Sequence, residues 1–164
     1  MKILTLLRHA KSSWDDSGLT DRERPLNGRG KRDAPEMGRR IAAHGIRPSL
    51  IITSPAVRAR KTAKIVAREI AYPVEFLQRE DLLYLASLDN LLDVVVAQDN
   101  SFNSLMVVGH NPGLTEFANF LIPGITNNLP TSGVVSVQLE TEDWNLYRQP
   151  KAELLAYDYP KLKA

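Results

Sequence analysis

Apolar blocks of strand length alternate along this chain with longer stretches whose apolar positions recur at helical spacing. Ile3 to Leu7 is an apolar run of the kind required by a central strand covered on both faces. Asn27-Gly28 opens a helical stretch that carries Ala34, Met37, Ile41 and Ala42 on one side and ends at Gly45, with Pro35 blurring its start. Leu50 to Thr53 predicts a second buried strand. Ser54-Pro55 reads as an N-cap and first-turn proline for a helix whose stripe is Val57, Ala59, Ala63, Val66 and Ile70. Val74 to Leu77 predicts a third strand, Leu88 to Gln98 a helix and Leu105 to Val108 a fourth strand. Asn111-Pro112 repeats the cap-plus-proline pattern ahead of Leu114, Phe117, Ala118 and Leu121. Gly133 to Leu139 and Trp144 to Arg148 predict a closing antiparallel pair, with a turn at Thr141 to Asp143. Strands alternating with helices imply an α/β fold, a three-layer α/β/α sandwich with a mainly parallel central sheet.

Composition narrows this picture. With 164 residues, 43% hydrophobic and 24% charged, the chain fits a single domain, 1–164. The net charge of +2 gives no global field that would draw nucleic acid or a membrane. The basic stretch from Arg22 to Arg40 is interleaved with Asp21, Glu23, Asp33 and Glu36, the pattern of a solvated face. Cysteine is absent, which excludes disulfides and thiolate chemistry. The first apolar run stops at Arg8, too short for a secretion signal or a span, so the cytoplasm is the expected compartment.

Ligands of open α/β sheets bind beyond the carboxyl ends of the strands. Three segments bring chemistry to that edge: Arg8-His9 after the first strand, Ser54 to Arg58 after the second, and Gly109-His110-Asn111 after the fourth. The third histidine, His44, sits before Gly45 at a helix C-terminus, where the dipole favours a partly charged imidazole, and is read as structural. Arg58, in the first turn of a helix, opposes the macrodipole. An arginine there makes sense if an anion is shared between its guanidinium and the backbone N–H groups.

Leu7-Arg8-His9-Ala10-Lys11-Ser12-Ser13-Trp14 resembles the "RHG" signature of the histidine phosphatase superfamily, which includes the cofactor-dependent phosphoglycerate mutases. The resemblance continues through Arg24-Pro25-Leu26-Asn27-Gly28-Arg29-Gly30, through Thr53-Ser54-Pro55-Ala56-Val57-Arg58-Ala59 with Thr62, and through Val107-Val108-Gly109-His110-Asn111-Pro112. It spans the chain from the first strand to about Leu121. The short length and the Pro130-Thr131-Ser132-Gly133 segment look most like the compact SixA-type phosphohistidine phosphatases, which lack a large lid insertion. Two positions depart from the pattern. Ala10 stands where the family usually has glycine, implying a helical or bridge conformation and a slightly narrower pocket. Asp15 stands where mutase-like relatives often have a phosphate-contacting asparagine; a carboxylate there would repel phosphate, so it should turn away or pair with Lys11 or Arg24.

The resemblance implies phosphoryl transfer through a phosphohistidine at His9. Arg8 and Arg58, with Arg24, would hold the phosphoryl oxygens, and His110 would donate to them in the transition state. No metal or other cofactor is called for, because guanidinium groups supply the positive charge. The general acid is the open question: Glu80 is the first choice, with Asp81 and Asp21 competing. A phosphorylated histidine leaves as imidazole and demands less acid assistance than an alkoxide. The connection from Gln78 to Ser104 leaves little room for a lid, which favours a phosphorylated protein, such as a histidine-phosphotransfer domain, over a small phosphate ester. Two other classes are weaker. A metal-dependent hydrolase using His9, His110 and Asp15 or Asp16 would set a dication beside Arg8, and a receiver-like binding module would need acidic residues where Arg8-His9 stand.

Overall fold

The computed structural model describes residues 1–162. In chain order the elements are β1 (Lys2–Arg8), α1 (Gly28–Ala43), β2 (Leu50–Thr53), α2 (Val57–Glu69), β3 (Gln78–Arg79), α3 (Leu88–Val96), β4 (Ser104–Gly109), α4 (Gly113–Leu121), β5 (Val134–Leu139) and β6 (Ala152–Asp158). They build one six-stranded sheet in the order β3-β2-β4-β1-β5-β6. The first four strands in that order are mutually parallel, and β5 and β6 close the sheet antiparallel. The fold is the α/β sandwich that the alternating pattern predicts.

The apolar runs are continuous because the sheet is covered on both faces. Leu4 and Leu6 of β1, Leu105 and Val107 of β4 and Ile52 of β2 join Leu91, Leu114 and Phe117 in one core. Their alternating neighbours Leu7, Met106, Val108 and Ile51 join Met37, Ile41, Ala63 and Val66 of α1 and α2 in the other. Each strand therefore feeds both cores from successive residues. Thr5 faces Ser136 directly across the β1–β5 pair, and their hydroxyls, 2.9 Å apart, satisfy each other. Asn27 caps α1 as expected, its side-chain oxygen accepting from Gly30 N at 2.8 Å, and the helix runs through Pro35 without ending.

Several local expectations are corrected. Val74–Phe76 is a 3-10 turn and the short strand follows it at Gln78–Arg79; Val74 and Leu77 pack on the core from the turn, while Phe76 and both strand residues are exposed. Ala42 is exposed, outside the buried stripe of α1. Ser54 and Asn111 are not at the N-cap positions, which Ala56 holds for α2 and Pro112 for α4, although Asn111 Oδ1 still accepts from Thr115 N in the first turn of α4 at 3.2 Å. Trp144 to Arg148 is not a strand. Trp144 is fully buried, its indole N–H donating to Phe102 O at 2.9 Å and its backbone N–H to Asn100 Oδ1 at 3.0 Å. That anchors the segment to the lead-in of β4, and the strand paired with β5 comes later, at Ala152–Asp158. Among the described residues no helix is long and apolar enough to cross a membrane.

Candidate active site

β1 and β4 lie side by side in register, with Arg8 paired to Gly109, so the residues that follow each strand emerge together at the carboxyl edge. His9 and His110 meet there with ring centroids 5.1 Å apart. They line a cavity of about 290 Å³ with Arg8, Arg24, Arg58 and Asp21. A larger hollow of about 710 Å³ lies beside Arg40, His44 and Asp158. There Arg40 and His44 each lie 3.1 Å from the Asp158 carboxylate, so His44 has a structural partner. The smaller cavity is different in kind: Arg8 Nε, Arg58 Nε and His110 Nδ1 are buried there without a partner. Uncompensated buried donors cost stability and need an explanation, which a bound anion supplies.

The loop after β1 is held on several sides. Lys11 O accepts from Asn27 N at 3.0 Å, and Ser12 bridges to Leu26. Gly30 lets α1 approach this loop, since a Cβ there would sit 2.2 Å from Lys11 O. Ala10 N donates to Thr62 Oγ1 at 2.9 Å, and Thr62 Oγ1 donates to Arg58 O at 2.7 Å, which ties His9 to the helix carrying Arg58. Left-handed backbone at non-glycine positions falls at Ala71, Leu85, Ser132 and Gln149, so Ala10 meets no conformational demand for glycine. Ser132 N in turn donates to the carbonyls of both Arg8 and His9, at 3.1 Å each.

Hydrogen-bond partners assign the imidazole tautomers. His9 Nδ1 lies 2.7 Å from Ala10 O, which can only accept, so Nδ1 carries the hydrogen and the Nε2 lone pair is free. Burial, joined by the charges of Arg58, Arg8 and Arg24, lowers the His9 pKa to about 4 against the opposing effect of the Ala10 carbonyl. The ring is therefore neutral at pH 7, with its lone pair on Nε2. His110 Nε2 lies 2.7 Å from Ser54 Oγ, which also accepts from Ala56 N at 3.3 Å. With the Ser54 hydroxyl as donor to Nε2, the hydrogen of His110 lies on Nδ1, which has no partner among the described residues. Burial, then His9 and the arginines, push His110 down to about 3.

Asp21 organises the cations. Its carboxylate accepts from Arg58 Nη2 at 2.9 Å, from Arg24 at 3.1 Å and from the Tyr84 hydroxyl, and its carbonyl accepts from Arg58 Nη1 at 2.6 Å. Burial works against the charge, but the bonds from Tyr84 and Arg58 hold the pKa at about 2. Arg58, expected to face an anion shared with Arg8, thus already has a carboxylate partner within the chain, and Nε alone stays unpaired. Arg8 donates to Leu129 O at 3.0 Å. Arg24 reaches Ser12 Oγ at 2.9 Å and stacks on Trp14, 3.4 Å from the ring centroid. Tyr84 meets His110 edge-on at 5.6 Å.

The structure brings His9, His110, Arg8, Arg58 and Arg24 together and leaves Glu80 out. The Glu80 side chain caps the turn Asp81–Leu83, accepting from Leu82 N at 3.1 Å, and Asp81 pairs outward with Arg79. Asp15 turns to solvent and pairs with neither Lys11 nor Arg24. The roles of Ser54 and Tyr84 were not foreseen. Ser54 lay inside a recognised motif but read as a cap, whereas Tyr84 carried no local signal.

The family described as Histidine phosphatase superfamily (branch 1) matches residues 4–82. A crystal structure from Agrobacterium tumefaciens, described as a candidate phosphohistidine phosphatase SixA, superposes with TM-score 0.83 at 27% identity and covers 97% of this chain and 98% of that one. The chain belongs to the histidine phosphatase superfamily. Within the superfamily, the structure of the protein histidine phosphatase SixA with tungstate shares the fold, with TM-score 0.79, 21% identity and 96% and 97% coverage of this chain and that one. An uncharacterized chloroplastic protein of Arabidopsis thaliana is 32% identical over 153 residues, 86% of this chain and 68% of that protein. A 2,3-bisphosphoglycerate-dependent phosphoglycerate mutase of Bradyrhizobium is similar over a shorter stretch, 32% identical across 74 residues, 44% of this chain and 36% of the mutase.

Proposed function

We propose that the protein is a metal-independent phosphatase that removes the phosphoryl group from a phosphohistidine in a protein, through a covalent phosphohistidine on His9. One observation carries the reading: a neutral imidazole, its Nε2 lone pair free, is fixed in a cavity lined by arginines whose buried Nε atoms have no partner among the described residues. The lone pair of His9 Nε2 attacks phosphorus as the P–N bond of the substrate breaks, and that bond's electrons leave with the departing ring nitrogen. Arg8, Arg58 and His110 Nδ1–H bear on the phosphoryl oxygens, where charge is redistributed in the transition state. Water then attacks phosphorus, releasing phosphate and restoring His9.

The nature of the leaving group follows from what the cavity holds. Among the described lining residues Asp21 is the carboxylate, and at a pKa of about 2 it has no proton to give at pH 7. A departing imidazole that enters protonated on its far nitrogen leaves neutral and needs no acid. An alkoxide has no such exit. The β3–β4 connection consists of one 3-10 turn and α3, with no inserted lid helix among the described residues, which favours access for a side chain on a protein surface. A small phosphate ester is the second reading, favoured by the stretch shared with the mutases.

The test incubates the protein with a phosphohistidine-bearing phosphotransfer protein and a panel of small phosphate esters in the presence of a chelator. A kcat/KM highest for the phosphoprotein, acid-labile phosphate trapped on His9, and loss of at least about 10³-fold activity in His9→Ala are expected. Activity abolished by chelator and restored by metal would overturn the reading. Preference for an alkyl ester would replace it with the second.

A further inference from the structure

Two large apolar side chains at the mouth of this cavity have no part in holding phosphate. Trp14 is 74% exposed and Leu85 is 55% exposed, yet both line the same cavity as His9. Neither side chain is adrift. The Arg24 guanidinium lies against one face of the Trp14 indole, 3.4 Å from its centroid, and is itself fixed by Ser12 and Asp21. That fixes the ring and leaves its other face open. Leu85 sits on left-handed backbone, φ 47°, a conformation that disfavours a branched side chain. Strain of this kind persists where neighbouring structure enforces it and is concentrated at ligand clamps. Its neighbour Tyr84 supplies the enforcement, bonded to Asp21 and packed on His110.

We propose that Trp14 and Leu85 form a leaving-group subsite that accepts the flat imidazole ring of a phosphohistidine. The inference rests on the phosphatase reading above and adds to it the residues that select the substrate. In-line attack by His9 sends the leaving group to the far side of phosphorus, and Trp14 and Leu85 are the exposed apolar side chains lining the cavity that could receive it. A protonated imidazole is flat and cationic, so it gains both stacking and cation–π attraction from an open indole face. A tetrahedral alkyl group or ammonia gains neither.

The test is a ratio of kcat/KM values, phosphohistidine over phosphoramidate, both P–N donors of which only the first has a ring; acetyl phosphate serves as an activated donor without P–N bond or ring. Wild-type protein should favour phosphohistidine, Trp14→Ala should lower the ratio by about tenfold, and Trp14→Phe should retain most of it. Leu85→Ala, which leaves the Arg24 stack untouched, should lower the ratio by about threefold. Ratios within twofold of wild type in both Trp14→Ala and Leu85→Ala overturn the subsite, as does a wild-type preference for acetyl phosphate or phosphoramidate. In those cases acid-labile phosphate on His9 still stands for the phosphatase reading, and its absence from wild-type protein given any donor removes both.

Discussion

Two cations are buried equally deeply at opposite ends of the sheet, and they are treated differently. Lys2 and Arg58 are each 2% exposed. At the amino end of β1, Lys2 Nζ donates to the carbonyls of Asn100 and Phe102 and to Asn103 Oδ1, which uses all three of its hydrogens, and it lies 5.5 Å from the centre of the Trp144 ring. At the carboxyl end, Arg58 leaves Nε unpartnered, as do Arg8 at its own Nε and His110 at Nδ1. The hydrogens of the Lys2 ammonium are all used within the chain, whereas the donors at the strand ends keep positions without a partner among the described residues. The sharpest way to break this contrast is Arg58→Ala, for which kcat/KM should fall by about 10³-fold. Arg58→Lys, with the charge but not the fork, should recover less than about tenfold of that loss. A fall of under tenfold in Arg58→Ala would mean that Asp21, not phosphate, is the partner Arg58 exists to hold.

Acid separates the two ends next. His9 and His110 hold pKa values of about 4 and about 3 in the folded protein, against 6.5 ordinarily. Below pH 6.5 the unfolded chain therefore binds protons that the folded chain refuses, so stability is fully present above that pH and is lost as pH falls toward 4. Each histidine contributes up to about 1.4 kcal/mol per pH unit, about 2.7 for the pair. Denaturant titrations at pH 7, 6 and 5 should show that slope, His9→Ala should lower it by about half, and Lys2→Met should leave it unchanged. A pH-independent midpoint in wild-type protein would contradict the buried, neutral pair.

Lys2→Met should do the reverse of a site variant. The thioether fills much of the space but leaves the Asn100 carbonyl and the Asn103 amide oxygen without a donor, while Phe102 O keeps the Trp144 indole N–H, at a cost of about 2 kcal/mol in unfolding free energy. Turnover per folded molecule should match wild type. A drop in kcat/KM at full folding would show that the amino end of β1 communicates with its carboxyl end.

What could be read in the sequence divides along similar lines. The parallel strands β1, β2 and β4 were legible because burial on both faces leaves unbroken apolar runs, and β2 falls at Leu50–Thr53 as its run predicts. His9, His110, Arg8 and Arg58 were legible because chain direction alone delivers strand ends to one edge. β6 was not: Glu153, Leu154 and Leu155 are exposed, and the register shifts between Ser136 and Val137, so no alternation marks it. Asp21 appeared only as a rival acid, because what defines it is contact with Arg58, 37 residues away, and Tyr84, 63 away. No periodicity records such a meeting.

The smallest expected effect tests that last lesson. Glu80 was the first choice for the acid on its place after the third strand, a position rather than a contact, and its carboxylate is spent on the Leu82 N–H. Glu80→Gln keeps an oxygen for that bond and should change kcat/KM by less than twofold at pH 7 for any donor, with a stability cost of a few tenths of a kcal/mol for the weakened cap. Asp21→Asn offers the sharper contrast, since it removes the charge that steadies Arg58, Arg24 and Tyr84 together and should lower kcat/KM by about tenfold or more without shifting the pH at which activity falls on the alkaline side. If Glu80→Gln instead loses activity on esters while sparing phosphohistidine, a carboxylate outside the cavity is reaching it during turnover, and the leaving group would need a proton after all.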